Sequence, residues 1–247
     1  FDLDEMAEQF AAYGEQLAPY ITDVELDIQD AIDDGRNVMI EGAQAAMLDI
    51  DYGTYPFVTS SSPTAAGVCQ GAGVAPTQVD RVIGVYKAYS TRVGAGAFPT
   101  ELEDATGTLL RERGAEFGTT TGRPRRTGWF DAVQARYTAR LNGISEIALT
   151  KLDVLDGIDS IRVCVGYEID GHRHDAPPAR IEDFDQVRPV YEDVAGWPAG
   201  ASDIAASEGL PATARAYLKR IEELVGVPVT FVGTGPHRDQ LLLAAAD

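Results

Sequence analysis

Apolar positions along this chain switch between a helical and an extended period, and the switches outline its elements. Leu3, Met6, Phe10, Tyr13 and Leu17 recur at spacings of three and four, which predicts a helix with one apolar stripe ending near Pro19. Val24, Ile28 and Ile32 continue that period from an N-cap at Thr22 or Asp23 to Gly35, and Val38-Met39-Ile40 then reads as a short buried strand. A strand-like run from Val82 to Tyr89, helices near Ala105 to Arg113 and from Phe130 to about Asn142, and a strand at Ile147-Ala148-Leu149 repeat the alternation. Ser160 to Tyr167 alternates as a strand that Asp170-Gly171 turns into a hairpin. A Pro- and Asp-rich connection without strong periodicity follows, to about Pro211. Beyond Pro211, at a first helical position, Ala214, Tyr217, Leu218, Ile221 and Leu224 form a last stripe. Gly226 ends it, and Pro228 to Val232 is a strand entering a glycine-rich loop. Helices alternating with strands predict an α/β protein.

Charge narrows the partners. The 247 residues carry 39 acidic and 20 basic side chains, a formal charge of −19, which argues against nucleic acid or an anionic membrane as partner. No apolar run approaches the roughly 18 residues of a membrane span, and the acidic amino-terminal stretch is unlike a targeting peptide. Cys69 and Cys164 are too few and too isolated for a disulfide framework or a cysteine-rich zinc site, so a cytoplasmic location is expected. The chain opens at Phe1 within a running amphipathic pattern, which suggests part of a longer polypeptide.

Candidate chemistry concentrates where strands end. Thr150-Lys151-Leu152-Asp153 directly follows the apolar strand Ile147-Ala148-Leu149, at the carboxyl end where α/β proteins place ligands. An aspartate there can accept two parallel hydrogen bonds from guanine N1–H and its exocyclic amine, whereas adenine presents an acceptor at N1. The lysine stem can cover the base. Taken alone, the pattern fits a solvated strand end equally well. A second signal is Gly118-Thr119-Thr120-Thr121-Gly122-Arg123-Pro124-Arg125-Arg126. With Arg111 and Arg113 it puts five of the 20 basic residues within 16 positions, reversing the local field and predicting an anion site. A charged loop paired to nearby acids is the plainer alternative. Gln44 and Thr59 lie in polar segments after a strand, suited to a base edge and a phosphate or to structural capping. Asp49 and Asp51 fit a turn better than a metal pair, because no His or third acid adjoins them. His172 and His174 fall on an exposed hairpin, Trp129 and Trp197 in the core, and the small residues of Gly233-Thr234-Gly235-Pro236 allow close approach to a flat ring. No G-x-x-x-x-G-K-[ST] phosphate loop is encoded.

The segments E-G-A-Q, M-L-D-I-D-Y-G-T-Y-P-F-V-T-S-S, K-A-Y-S-T-R-V-G-A-G, F-P-T-E-L, G-T-T-T-G-R-P-R-R-T-G-W, L-T-K-L-D-V-L-D-G and G-T-G-P, in this order, resemble adenylosuccinate synthetase from Gly42 to about Arg238. The resemblance implies that residues 1–247 are the carboxy-terminal portion of one such domain, lacking the family's amino-terminal phosphate loop and catalytic histidine. It implies an α/β fold, part of a P-loop-NTPase-like architecture with a mixed central sheet flanked by helices, plus a β-hairpin insertion. It implies a homodimeric ligase joining IMP and L-aspartate with GTP and Mg2+, with the metal ligands upstream of this chain and with the isolated fragment inactive. By the same resemblance Gln44 contacts the IMP base near the reacting position, Thr59 its 5′-phosphate and Val93 its ribose. Thr119, Thr120, Thr121, Gly122, Arg123, Pro124 and Arg125 form the loop on the substrate aspartate, with Arg123 also toward IMP and Arg125 also toward GTP. Lys151, Leu152 and Asp153 read guanine, and Gly233, Thr234 and Gly235 form the pocket's other wall. Gly233 stands where the family commonly has serine, and Pro124 where arginine is frequent. A guanine-nucleotide-binding regulatory module would also use T-K-L-D but leaves the arginine-threonine loop unexplained.

Overall fold

A computed structural model describes residues 1–118, 122–201 and 209–243. Helix α1 (Leu3–Leu17) starts at Asp2, whose carboxylate accepts the backbone N–H groups of Asp4 and Glu5, and α2 (Val24–Asp33) follows. Neither helix contains a buried residue; the stripe from Leu3 to Leu17 faces outward. Val38 to Ile40 is not a strand. The apolar run is there, but no described strand pairs with it, and Met39 is 88% exposed. A strand exists only as half of a ladder, so an apolar run without a partner has nowhere to send its backbone hydrogen bonds.

Helix α3 (Ala65–Ala72) precedes the main sheet, which contains β1 (Ile83–Lys87), β5 (Glu146–Thr150), β9 (Val229–Gly233) and β10 (Leu241–Leu243) in the order β1-β5-β9-β10. The first three are parallel and β10 is antiparallel. Between β1 and β5 the chain forms β2 (Ser90–Arg92), α4 (Ala105–Arg113), β3 (Arg126–Gly128), β4 (Phe130–Asp131) and α5 (Ala132–Asn142). β2 and β3 pair as an antiparallel ladder, with Ser90 opposite Gly128. A second sheet is built on β6 (Ser160–Ile169). β8 (Arg188–Ala195) runs antiparallel along its length, and its other edge takes β4 in parallel and β7 (His172–His174) in antiparallel pairing. The expected hairpin is therefore β6 and β7. The connection after it, read as lacking periodicity, also carries α6 (Ile181–Phe184) and the whole of β8.

Helix α7 (Ala212–Val225) connects β8 to β9 and buries Ala214, Tyr217, Leu218, Ile221 and Val225, close to the stripe the period predicts. It packs on α5. Tyr217, fully buried, donates to the Ala88 carbonyl at 2.6 Å, so α7 is pinned to the chain just past β1. Tyr86 of β1 donates to the Ala135 carbonyl of α5 at 3.0 Å. Ile147, Leu149, Leu152 and Leu155 complete this core with Trp129 and Trp197. These contacts fix the carboxyl ends of β1, β5 and β9 side by side, with Lys87 in register with Thr150 and Leu149 with Val232. Open α/β sheets bind ligands outside such an edge.

Candidate guanine pocket and anion loop

Thr150 ends β5 by donating its hydroxyl to the Tyr86 carbonyl at 3.0 Å, while Ala88 N–H donates to the Thr150 carbonyl at 2.9 Å. The chain then turns sharply: Lys151 has φ +61°, a left-handed conformation unusual for a side-chain-bearing residue, and a 3₁₀ turn follows over Leu152–Leu155. Leu152 is fully buried in the core, so its side chain faces away from any ligand and only its backbone is available. Asp153 sits on the open side of this turn. One of its carboxylate oxygens, Oδ1, is buried without a hydrogen-bond partner, and burial and the neighbouring Asp156 carboxylate push its pKa up. A buried acceptor left unpaired costs about 1–3 kcal/mol, which a donor pair on a ligand would relieve.

Gly233 closes β9 directly beside this turn. A Cβ on it would lie 3.3 Å from the Thr150 Cα, so the two strand ends meet at backbone distance. Thr234 is buried, and its N–H donates to the Gln240 carbonyl at 2.9 Å, which folds Gly235 and the residues after it back toward β10. Lys151, Asp153 and the Gly233–Gly235 segment are thus brought together, as their positions at parallel strand ends require.

The arginine-rich segment divides. Arg111 donates to the Arg125 carbonyl at 2.8 Å and Arg113 to that of Asp156, and Arg126 forks onto Glu101. These three are structural, as the plainer reading of the cluster has it. Arg125 is different. Its Nη1 donates to Glu116 at 2.8 Å, while its Nε is buried without a partner. Gly118 N–H meets the Arg123 carbonyl at 2.8 Å and Phe117 bridges Pro124, so Glu116 and Arg125 mark the two feet of the loop. Gly122, with φ +64°, is exposed, as are Arg123 and Pro124; Thr119, Thr120 and Thr121 lie outside the described residues.

Sequence reasoning missed the group at the centre of this site. Glu116 is fully buried and accepts from Lys87 at 2.8 and 2.9 Å, from the Tyr89 hydroxyl at 2.6 Å and from Arg125, with Lys151 Nζ 3.5 Å away. Burial acts to raise its pKa, but the Lys87, Tyr89 and Arg125 donors outweigh it and bring it to about 2. Three cations share this one carboxylate, so the site keeps the net positive charge suited to an anionic ligand.

The remaining candidates belong to other segments, of which the one with Val93 meets this edge where Lys87 donates to the Thr91 hydroxyl at 2.8 Å. Gln44 is exposed, has φ +58°, and lines a cleft of about 330 Å³ with Gly42, Ser61 and Ser62. Thr59 donates its N–H to the Leu48 carbonyl at 2.8 Å and accepts from the Ser61 hydroxyl at 3.3 Å. Arg92, next to the exposed Val93, reaches the Thr54 hydroxyl and the Phe57 carbonyl, each at 3.1 Å, and ties the end of β2 to the loop before Thr59. Asp49 accepts the N–H groups of Asp51 and Tyr52 and builds a turn. Among the described residues there is no cluster of three or more His, Cys, Asp or Glu side chains that could hold a metal ion. Both cysteines are buried free thiols, and no described helix is long and apolar enough to cross a membrane.

A family model of adenylosuccinate synthetase matches residues 1–242. The adenylosuccinate synthetase of Thermomicrobium roseum is 62% identical over 241 residues, which make up 98% of this chain and 56% of that protein. That of Bifidobacterium longum subsp. infantis is 54% identical over 241 residues, with the same two shares, 98% and 56%. The fully ligated adenylosuccinate synthetase of Plasmodium falciparum superimposes with a TM-score of 0.96 at 40% identity, covering 99% of this chain and 59% of that one. Its likeness extends the α/β reading to part of a P-loop-NTPase-like fold with mixed sheets. A succinoaminodeoxyadenylate synthetase of cyanophage S-2L shares the fold at a TM-score of 0.55 and 20% identity, over 89% of this chain and 49% of that one. The chain spans about 56% of the length of the curated relatives it matches, and over that span it belongs to the adenylosuccinate synthetase family.

Proposed function

We propose that this chain supplies the guanine, IMP and aspartate contacts of a cytoplasmic, homodimeric ligase that converts IMP, L-aspartate and GTP to adenylosuccinate, GDP and phosphate. The γ-phosphoryl of GTP passes to the purine 6-oxygen, and the aspartate amine then displaces phosphate at that carbon. Asp153 reads guanine N1–H and the exocyclic amine, Lys151 and the Leu152 backbone flank the base, and Gly233, Thr234 and Gly235 form the opposite wall. Arg125 bridges GTP and the loop from Thr119 to Pro124, which grips the aspartate carboxylates, with Arg123 also facing IMP. Gln44 meets the IMP base, Thr59 its phosphate and Val93 its ribose. Mg2+, with ligands upstream of this chain, neutralises phosphate charge when bound. The observation that carries the reading is the buried, unpartnered Oδ1 of Asp153 at the end of a parallel strand. That oxygen lacks a donor, and guanine offers N1–H and its exocyclic amine to the two carboxylate oxygens.

Activity of the whole enzyme calls for the rest of the domain. The test is a chimera in which these 247 residues replace the matching 241 residues of the Thermomicrobium roseum enzyme. Formation of adenylosuccinate that depends on IMP, aspartate and GTP is expected of the chimera, and none of the 247-residue chain alone. A folded chimera without turnover would overturn the reading, and turnover by the chain alone would overturn the placement of the phosphate chemistry upstream.

A further inference from the structure

Three segments of the chain converge on one carboxylate. Lys87 comes from the end of β1, Tyr89 from just beyond it, Arg125 from the far foot of the loop and Lys151 from the turn after β5. Glu116 itself stands at the near foot, and its carbonyl accepts the Arg125 N–H at 2.9 Å, so backbone and side chain both close the loop there. Lys151 is held twice, by Glu116 and by the Gly114 carbonyl. Gly114 has no room for a side chain: a Cβ would overlap the Tyr89 hydroxyl and lie 2.7 Å from the Leu110 carbonyl. The Tyr89 hydroxyl orients the carboxylate, and the side chain of Lys87 is largely covered.

We infer that Glu116 is a positioning residue that sets Arg125 and Lys151 from one carboxylate and so couples the aspartate loop to the guanine pocket. This rests on the function proposed above for those two cations. The charge alone does not require this arrangement, since a carboxylate paired only with Lys87 would be neutralised just as well. Instead the two oxygens are divided. Oε1 takes Tyr89 and faces Lys151, Oε2 takes Arg125, and Lys87 spans both. A shift of Arg125 on ligand binding must therefore turn the carboxylate that also faces Lys151, and linkage makes the effect reciprocal.

The test is Glu116→Gln, which keeps the shape and removes the charge. In the chimera, KM for GTP and KM for aspartate are expected to rise together by about 10-fold, with KM for IMP within about 2-fold and kcat changed less than either. A role in folding alone would lower the active fraction, and hence kcat, while leaving all three KM values in place. Tyr89→Phe keeps the charge and removes one orienting donor, and should reproduce the pattern at about 3-fold, which decides the matter if the Gln variant does not fold. Unchanged GTP and aspartate constants in either folded variant, or a rise in only one of them, would overturn the coupling. The 247-residue chain gives a second readout that does not depend on turnover. Amide exchange at Arg125 and at Val154, whose N–H groups bond Glu116 and Lys151, should quicken together in Glu116→Gln. Quickening at Arg125 alone would overturn the inference even if the chimera proved inactive, an outcome that would separately remove the proposed activity.

Discussion

Two carboxylates at the same strand edge are in opposite conditions. Glu116 is buried with every oxygen partnered, and Asp153 has one oxygen buried with none. The first is therefore satisfied within the protein and the second keeps an unmet acceptor. Glu116 also sets a pH dependence. Its pKa falls from 4.5 to about 2 on folding, so the ionised form is favoured in the native state. The stabilisation is present above pH 4.5 and is lost as pH falls through about 2. It amounts to about 3 kcal/mol in full. Urea titrations of the parent chain and of Glu116→Gln should accordingly differ by about that amount at pH 7 and converge toward pH 2. A difference that stayed constant across that range would mean that the carboxylate is not held ionised by Lys87, Tyr89 and Arg125.

At the scale of elements, the same N-cap chemistry has unequal weight at two helices. Asp104 caps α4 from an exposed position and accepts one N–H, that of Gly107. Asp131 caps α5 from a buried one and accepts the N–H groups of Val133 and Gln134 together with the Gln134 amide and the Tyr167 hydroxyl. Asp131→Ala should thus cost about 3 kcal/mol, since it strands buried donors as well as the cap, and Asp104→Ala about 1 kcal/mol. Equal losses in denaturant midpoint would show that the Tyr167 contact contributes nothing. The contrast also marks what a sequence discloses. α1, α4, α5 and α7 were legible because each has caps or a stripe within a dozen residues, and T-K-L-D because strand and turn adjoin. β8 was not: its half-exposed run of Arg188, Pro189, Glu192 and Asp193 has no clean alternation, and β6 alone makes it a strand. Nor was α3, a helix of small residues without large apolar positions. Val38 to Ile40 erred the other way, since an apolar run records a tendency to be covered and not the partner that covers it. The Glu116 cluster was hidden for a third reason. Its members span residues 87 to 151, and no local pattern brings them together.

Across the whole molecule, a charge of −19 contrasts with a strand edge where Lys87, Arg125 and Lys151 gather, a local field that favours an anion there. Leu3, Phe10, Tyr13 and Leu17 of α1 and Val85 of β1 are exposed as well. The central claim is that the edge built by β1, β5 and β9 reads guanine through Asp153, and its most direct measurement is the base preference of the chimera carrying Asp153→Asn. An amide cannot accept from N1–H and the exocyclic amine as a carboxylate does, so kcat/KM for GTP should fall by about 2–4 kcal/mol of transition-state binding. Xanthosine triphosphate, which replaces the amine by a carbonyl, should recover much of that loss. A variant that keeps its GTP preference, or that loses GTP and xanthosine triphosphate alike while folding normally, would contradict the account and remove Asp153 from the pocket.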